Sequence, residues 1–143
     1  MRTHRWAIAD RFAWSEAEVQ LTPAVAEVCA GFTATLRRPQ DRERRFVHGD
    51  LSGNVFRDER GRPVVLDISP YLRPARWAAA IVVADAVLWY DADPAIARAF
   101  ASAPRDHDLL VRALLFRLVA EQLGGSLDRA MLESYERLRI LLR

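Results

Sequence analysis

Three oxygen-bearing side chains stand close together in the middle of the chain. Asp50 and Asn54 belong to the loop His48-Gly49-Asp50-Leu51-Ser52-Gly53-Asn54, and Asp67 ends the apolar run Val64-Val65-Leu66. None has a cationic residue written beside it. Two carboxylates and a carboxamide suit a hard cation and a phosphate donor. The same residue types are ordinary in turns, so the loop by itself reads equally well as a capped turn between strands. Asp67, at the end of an apolar strand and ahead of an apolar helix, weighs toward chemistry.

The elements that must position these residues follow from local pattern. Phe46-Val47 leads into the loop and Val55-Phe56-Arg57 leaves it. Residues 58–62 (Asp-Glu-Arg-Gly-Arg) read as a hairpin turn with Gly61 supplying a positive φ, and Pro63 to Asp67 is the returning strand. Upstream, Ser15 with Glu18 fits a capping box and predicts a short helical turn. Thr22-Pro23 predicts an N-cap with proline in the first helical position. Val25, Val28, Phe32 and Leu36 then mark one face of a helix ending near Arg37. Residues 38–45 form a charged connector.

Downstream the pattern is helical. Trp77 to Tyr90 is apolar almost all round, which predicts a buried helix. Asp93-Pro94 starts a short helix toward Ala101. Asp106 or Asp108 caps a longer one through Leu123, with Leu110, Leu114, Arg117 and Leu118 on a mostly apolar face, and Gly124-Gly125 stops it. Ser126 or Asp128 starts the last helix. The expected class is α+β, mostly α, with one small β-hairpin carrying the polar loop.

The bounds agree. At 143 residues and 51% hydrophobic content the chain makes one domain with a sizeable core, not a disordered segment. Its longest apolar run is broken by Asp85 and too short to span a bilayer, and MRTHRWAIADRF lacks the apolar region of a signal peptide. The single cysteine, Cys29, excludes an internal disulfide and a cysteine metal cage, which makes the cytoplasm the expected compartment. All 21 cationic residues are arginine, yet the net charge is only +2. A GC-rich genome accounts for the bias. Asp41 and Glu43, interleaved with Arg37, Arg38, Arg42, Arg44 and Arg45, read as a solvated connector rather than a nucleic-acid surface.

The remaining candidates have plain readings. Cys29 lies beside an apolar helix face and reads as core. His4 and His107 have no ligand-type neighbours and read as surface residues. Trp77 and Trp89 read as core; Trp6 and Trp14 are candidates to line a cleft. A Ser–His–Asp nucleophile is excluded by the absence of a Gly-x-Ser-x-Gly elbow around Ser52.

The segment His48-Gly49-Asp50-Leu51 through Asn54, followed by Val64-Val65-Leu66-Asp67, resembles the catalytic segment of the aminoglycoside phosphotransferase and choline kinase-like group, a branch of the kinase-like superfamily. That pattern is a His-x-Asp loop, an Asn closely downstream, and a metal-binding Asp after a following strand. The resemblance covers roughly residues 6–143, with its specific motif in 46–74. It implies a kinase-like C-terminal lobe that transfers the γ-phosphate of ATP or GTP to a small-molecule hydroxyl with Mg2+ as cofactor. It implies Asp50 as proton acceptor, Asn54 and Asp67 as Mg2+ ligands, and His48 as a residue that holds the loop by hydrogen bonds. Gly49 and Gly53 allow bends that a side chain would block. Asp85, a carboxylate inside the most apolar helix, must find donors; by similarity to kinase folds these are backbone N–H groups of the 48–50 loop.

Two departures stand beside the resemblance. Three residues, Leu51, Ser52 and Gly53, separate Asp50 from Asn54, one fewer than the usual pattern. The chain has no lysine and no glycine-rich run before Asp50, so it looks like a single domain over 1–143 that lacks the N-terminal nucleotide lobe. The expected partners are a small-molecule hydroxyl substrate and either a second copy or a separate N-lobe chain, with no nucleic acid and no membrane. A catalytically inactive single-lobe binding or scaffold module is the alternative to the enzyme, and an arginine-dependent nucleic-acid binder is a distant third. The acceptor itself is not named by a fold.

Overall fold

The computed structural model describes residues 4–37 and 42–143; residues 38–41, half of the expected connector, lie outside them. The elements are α1 (Arg5–Ala13), α2 (Pro23–Thr33), β1 (Arg45–His48), β2 (Val55–Arg57), β3 (Pro63–Val65), β4 (Pro70–Arg73), α3 (Trp77–Trp89), α4 (Ala95–Phe100), α5 (Pro104–Gly124) and α6 (Arg129–Leu141). The class is α+β and mostly α, as expected. No helix among the described residues is long and apolar enough to cross a membrane.

Helix α5 is the axis of the molecule. Residues 107–120 are buried without a break, and the other five helices all pack on it. A helix buried all round needs other helices on every side, which is more than the single apolar face read from sequence. Asp106 and Asp108 do not cap it. The helix starts at Pro104 behind Ala103, and Asp106 instead pairs with Arg76 at 2.7 Å. Asp108 accepts the Arg37 N–H at 2.9 Å. Gly125, at φ 71°, ends the helix in the left-handed conformation that glycine adopts without penalty. His107 is buried rather than superficial: its Nε2 meets the Leu142 carbonyl at 3.0 Å, tying α5 to the end of α6.

The local start signals of α2 and α6 hold. The Thr22 hydroxyl accepts from the Val25 N–H ahead of Pro23, and Asp128 accepts the Met131 N–H at 2.8 Å. The Ser15 capping box does not. Ser15 sits at φ 58° in the turn that closes α1, a helix with no strong sequence signal, and Glu16 is drawn to Arg73. Trp14 is wholly buried, so it lines no cleft; the guanidiniums of Arg73 and Arg112 approach its ring at 4.9 and 4.8 Å. Arg73 also closes on Asp10 and Glu16 together, at 2.7 and 2.6 Å. Trp77 is core as expected, with Trp14, Tyr71 and Phe116 at 5.4–5.8 Å in tilted or edge-on contacts that suit ring quadrupoles. Trp89 is only half-buried, and Ala79 and Val82 of α3 reach solvent, so that helix is not enclosed on all sides.

The strands form two antiparallel ribbons rather than one hairpin. β1 pairs with β4 and β2 with β3. In the first, Val47 opposite Tyr71 faces the core while Phe46 opposite Leu72 faces solvent. In the second, Val55, Phe56 and Arg57 pair with Val65, Val64 and Pro63, and no residue of the six is buried. Its turn is held by Asp58, which accepts from the Arg60 and Arg62 N–H groups at 2.9 Å each, with Gly61 at φ 74°. The polar loop does not sit on the hairpin's tip. It links the two ribbons, running from the end of β1 to the start of β2.

Cys29 is core, as read, and burial pushes its thiol up to about 12 from 9.0. A raised pKa means the fold prefers the neutral thiol, so this contribution is intact below pH 9 and is lost as pH climbs toward 12. Urea midpoints measured from pH 8 to 11 are expected to fall, and Cys29→Ala is expected to flatten the fall.

Candidate functional site

His48 closes the loop on itself. Its Nδ1 accepts the Asp50 N–H at 3.0 Å and its Nε2 donates to the Asp67 carbonyl at 2.6 Å, so the ring proton sits on Nε2. The Gly49 N–H donates to the Ser69 carbonyl at 2.8 Å. The first half of the loop is thereby bound to the segment after β3. The Leu66 N–H donates to the Asn54 carbonyl at 3.1 Å, which extends the β2–β3 ladder to the loop's far end. Asp50, Asn54 and Asp67 therefore belong to one hydrogen-bonded frame built around the base of the ribbon.

Within that frame Asp50 and Asn54 touch. The Asn54 amide donates to the Asp50 carbonyl at 2.9 Å and to its carboxylate at 3.2 Å. This turns the Asn54 nitrogen toward Asp50 and leaves Oδ1 without a hydrogen bond among the described residues. The three-residue interval between them is spanned by a turn in which Gly53 takes φ 80°. Asp67 lies at the surface. Its Oδ1 accepts its own neighbour's N–H, from Ile68 at 2.7 Å, and among the described residues it shares no hydrogen bond with Asp50 or Asn54.

Gly49 earns its place differently from the expectation. Its φ is not positive; it is buried, and an added Cβ would overlap the ring of Tyr71, which Trp77 and Phe116 hold edge-on. Gly53 lies near the Tyr90 hydroxyl at the end of α3, which puts an exposed aromatic residue beside the loop.

The donors to Asp85 come from a side chain, which corrects the reading that backbone N–H groups of the loop serve it. Asp85 is fully buried, and Arg117 reaches it through Nε at 2.7 Å and Nη2 at 2.6 Å. The same Nη2 donates to Asp50 at 3.2 Å. Arg117 is itself 1% exposed, between the rings of Trp6 at 5.4 Å and Trp89 at 4.9 Å. Burial works against its charge, yet the hydrogen bonds and charge of Asp85, with Asp50 behind them, outweigh that and raise its pKa above the ordinary arginine value. Asp50 is 45% exposed and so bridges this interior pair to solvent. Arg117 is the residue that sequence reasoning passed over. An arginine inside a run of leucines carries the same signal as Asp85 in its apolar helix: a buried charge that requires a partner.

Among the described residues no three His, Cys, Asp or Glu side chains cluster as a cage. A small hard ion that keeps water and phosphate oxygens needs only one or two protein ligands; the Asn54 Oδ1 and the exposed Asp67 carboxylate are oxygens of the type such an ion takes. Comparison of the chain with protein-family models, characterised proteins and solved structures finds no match.

Two stability outcomes follow. Arg117→Met leaves Asp85 buried without a donor and is expected to cost about 3–5 kcal/mol. Adding Asp85→Leu is expected to recover most of it, read from urea denaturation of both variants. Gly49→Ala is expected to cost about 1–3 kcal/mol by overpacking against Tyr71, read from the same curves.

Proposed function

We propose that the chain is the catalytic-loop lobe of a phosphotransferase that moves the γ-phosphate of ATP or GTP to the hydroxyl of a small molecule. The observation that carries this reading is the hydrogen-bonded set Asn54–Asp50–Arg117–Asp85. It fixes a half-exposed carboxylate between a buried positive charge and a carboxamide. Asp50 takes the proton of the attacking hydroxyl; its exposed side leaves room for that group to approach. Arg117 acts from within the core, holding one Asp50 oxygen so that the carboxylate cannot swing away. His48 does no proton chemistry, because both ring nitrogens are engaged in bracing the loop. Mg2+, held by Asn54 Oδ1 and Asp67, would neutralise the charge that builds on the phosphates. A separate N-lobe chain would tighten the weak grip that this lobe alone has on the nucleotide through Mg2+, and the use of ATP or GTP assigns the reaction to the cytoplasm.

A second reading, a single-lobe binding or scaffold module without turnover, is favoured by the lack of any lysine and by the bare β2–β3 ribbon. Differential scanning fluorimetry with millimolar MgATP or MgGTP separates the two, because a ligand that binds the native state must raise the melting temperature. The phosphotransferase reading expects an upward shift that Asp67→Ala removes and Asp50→Ala keeps. It also expects Asp50→Ala to abolish release or transfer of the γ-phosphate. No shift with either nucleotide selects the module.

A further inference from the structure

We infer that β2 is the two-fold contact of a homodimer, in which the β2 edges of two copies pair antiparallel to give a four-stranded sheet ordered β3–β2–β2–β3. The inference is independent of phosphoryl transfer.

The β2–β3 ribbon exposes Val55, Phe56, Val64 and Val65 at 46, 50, 39 and 46%. Side chains alternate along a strand, so the Val55–Val65 pair and the Phe56–Val64 pair lie on opposite faces, and both faces are open. A two-stranded ribbon packed on neither face is marginal in water; extra strands stabilise it.

The ladder says which edge can receive them. Leu66 donates to Asn54 and Asp58 donates the return bond from Arg62, at 3.1 and 2.9 Å. Hydrogen-bonded pairs in an antiparallel ladder recur at every second residue. Phe56 therefore turns its N–H and C=O toward β3, while Val55 and Arg57 turn theirs outward. Neither outward N–H has a partner among the described residues. On the far edge of the ribbon the outward residues are Pro63 and Val65, and Pro63 has no N–H to offer. The β2 edge is thus the competent one.

A two-fold axis through Phe56 brings Val55 opposite Arg57 of the partner subunit. Each such pair exchanges two backbone hydrogen bonds. Phe56 then meets Phe56 of the partner subunit in a non-hydrogen-bonded pair, where Cα atoms approach to about 4.5 Å and side chains are closest. The Arg57 side chain does not guard the edge, because its Nη1 turns back to the Gly61 carbonyl at 2.9 Å. Leu66 and Ile68, 67 and 80% exposed, continue the apolar surface beyond β3.

Sedimentation equilibrium of the full chain between about 1 and about 200 μM protein tests the state, and amide hydrogen exchange tests the contact. The expected result is association to twice the 16.3 kDa chain mass. The Val55 and Arg57 amides should exchange at least ~10-fold more slowly at the high concentration than at the low one. Phe56→Glu, which sets two carboxylates face to face, should give a monomer with an unchanged circular dichroism spectrum. A chain that stays monomeric throughout overturns the inference. So does a dimer in which those two amides gain no protection, or one that Phe56→Glu leaves intact. The exchange measurement needs no variant, so it decides the matter even if Phe56→Glu fails to fold.

Discussion

A single guanidinium joins the core of this protein to its surface loop. Arg117 projects from the middle of α5, where water is excluded, and meets Asp85 with two hydrogen bonds and Asp50 with a third. An isolated charge in that position would be intolerable; a bidentate pair flanked by aromatic faces is not. Arginine suits the position because its planar fork matches a carboxylate and stacks on rings, which an ammonium group cannot do. The loop that holds Asp50 is therefore anchored from below by an ion pair and from the side by His48.

The same device recurs five positions earlier in α5. Arg112 donates to the Ala13 carbonyl at 2.7 Å and lies over Trp14, and the same ring meets Arg73 with its two carboxylates. α1, α5 and β4 are thus joined by charges as well as by packing. The arrangement makes the interior specific: each cation has a short list of acceptors, and a helix rotated by one position would strand it. Such cross-links substitute for the larger apolar faces that alanine-rich helices such as α1 lack. The ribbons contrast with this. β1–β4 buries one face through Val47 and Tyr71, whereas β2–β3 buries neither and is held by its turn and its ladder.

What could be read in advance was local. Thr22-Pro23, Asp93-Pro94, Gly61, Gly125 and Asp128 announce turns and caps because each acts on backbone groups within a few residues. What could not be read had distant causes. α1 carries its buried face on Ala7, Ala9, Asp10 and Ala13, which give little hydrophobic periodicity, and it has no side-chain cap. β4 begins at a proline and finds its partner 22 to 28 positions earlier in the chain. Ser15 and Glu18 match a capping pattern, but Glu16 between them is claimed by Arg73, 57 positions away, and the backbone turns at Ser15 instead. His107 reads as a surface residue for want of ligand-type neighbours nearby in sequence, yet it is buried because its Nε2 meets the Leu142 carbonyl, 35 positions away.

The site divides in the same way. The sequence alone determined which oxygen donors exist, that Asp50 and Asn54 share one short loop, and that a hairpin returns Asp67 to its base. Those relations span few residues and follow from turn chemistry and strand pairing. Only the tertiary structure decided that Arg117, 32 positions from Asp85 and 67 from Asp50, is the charge that serves both. A carboxylate's partner in the interior is chosen by desolvation, and desolvation exists only once the helices have packed.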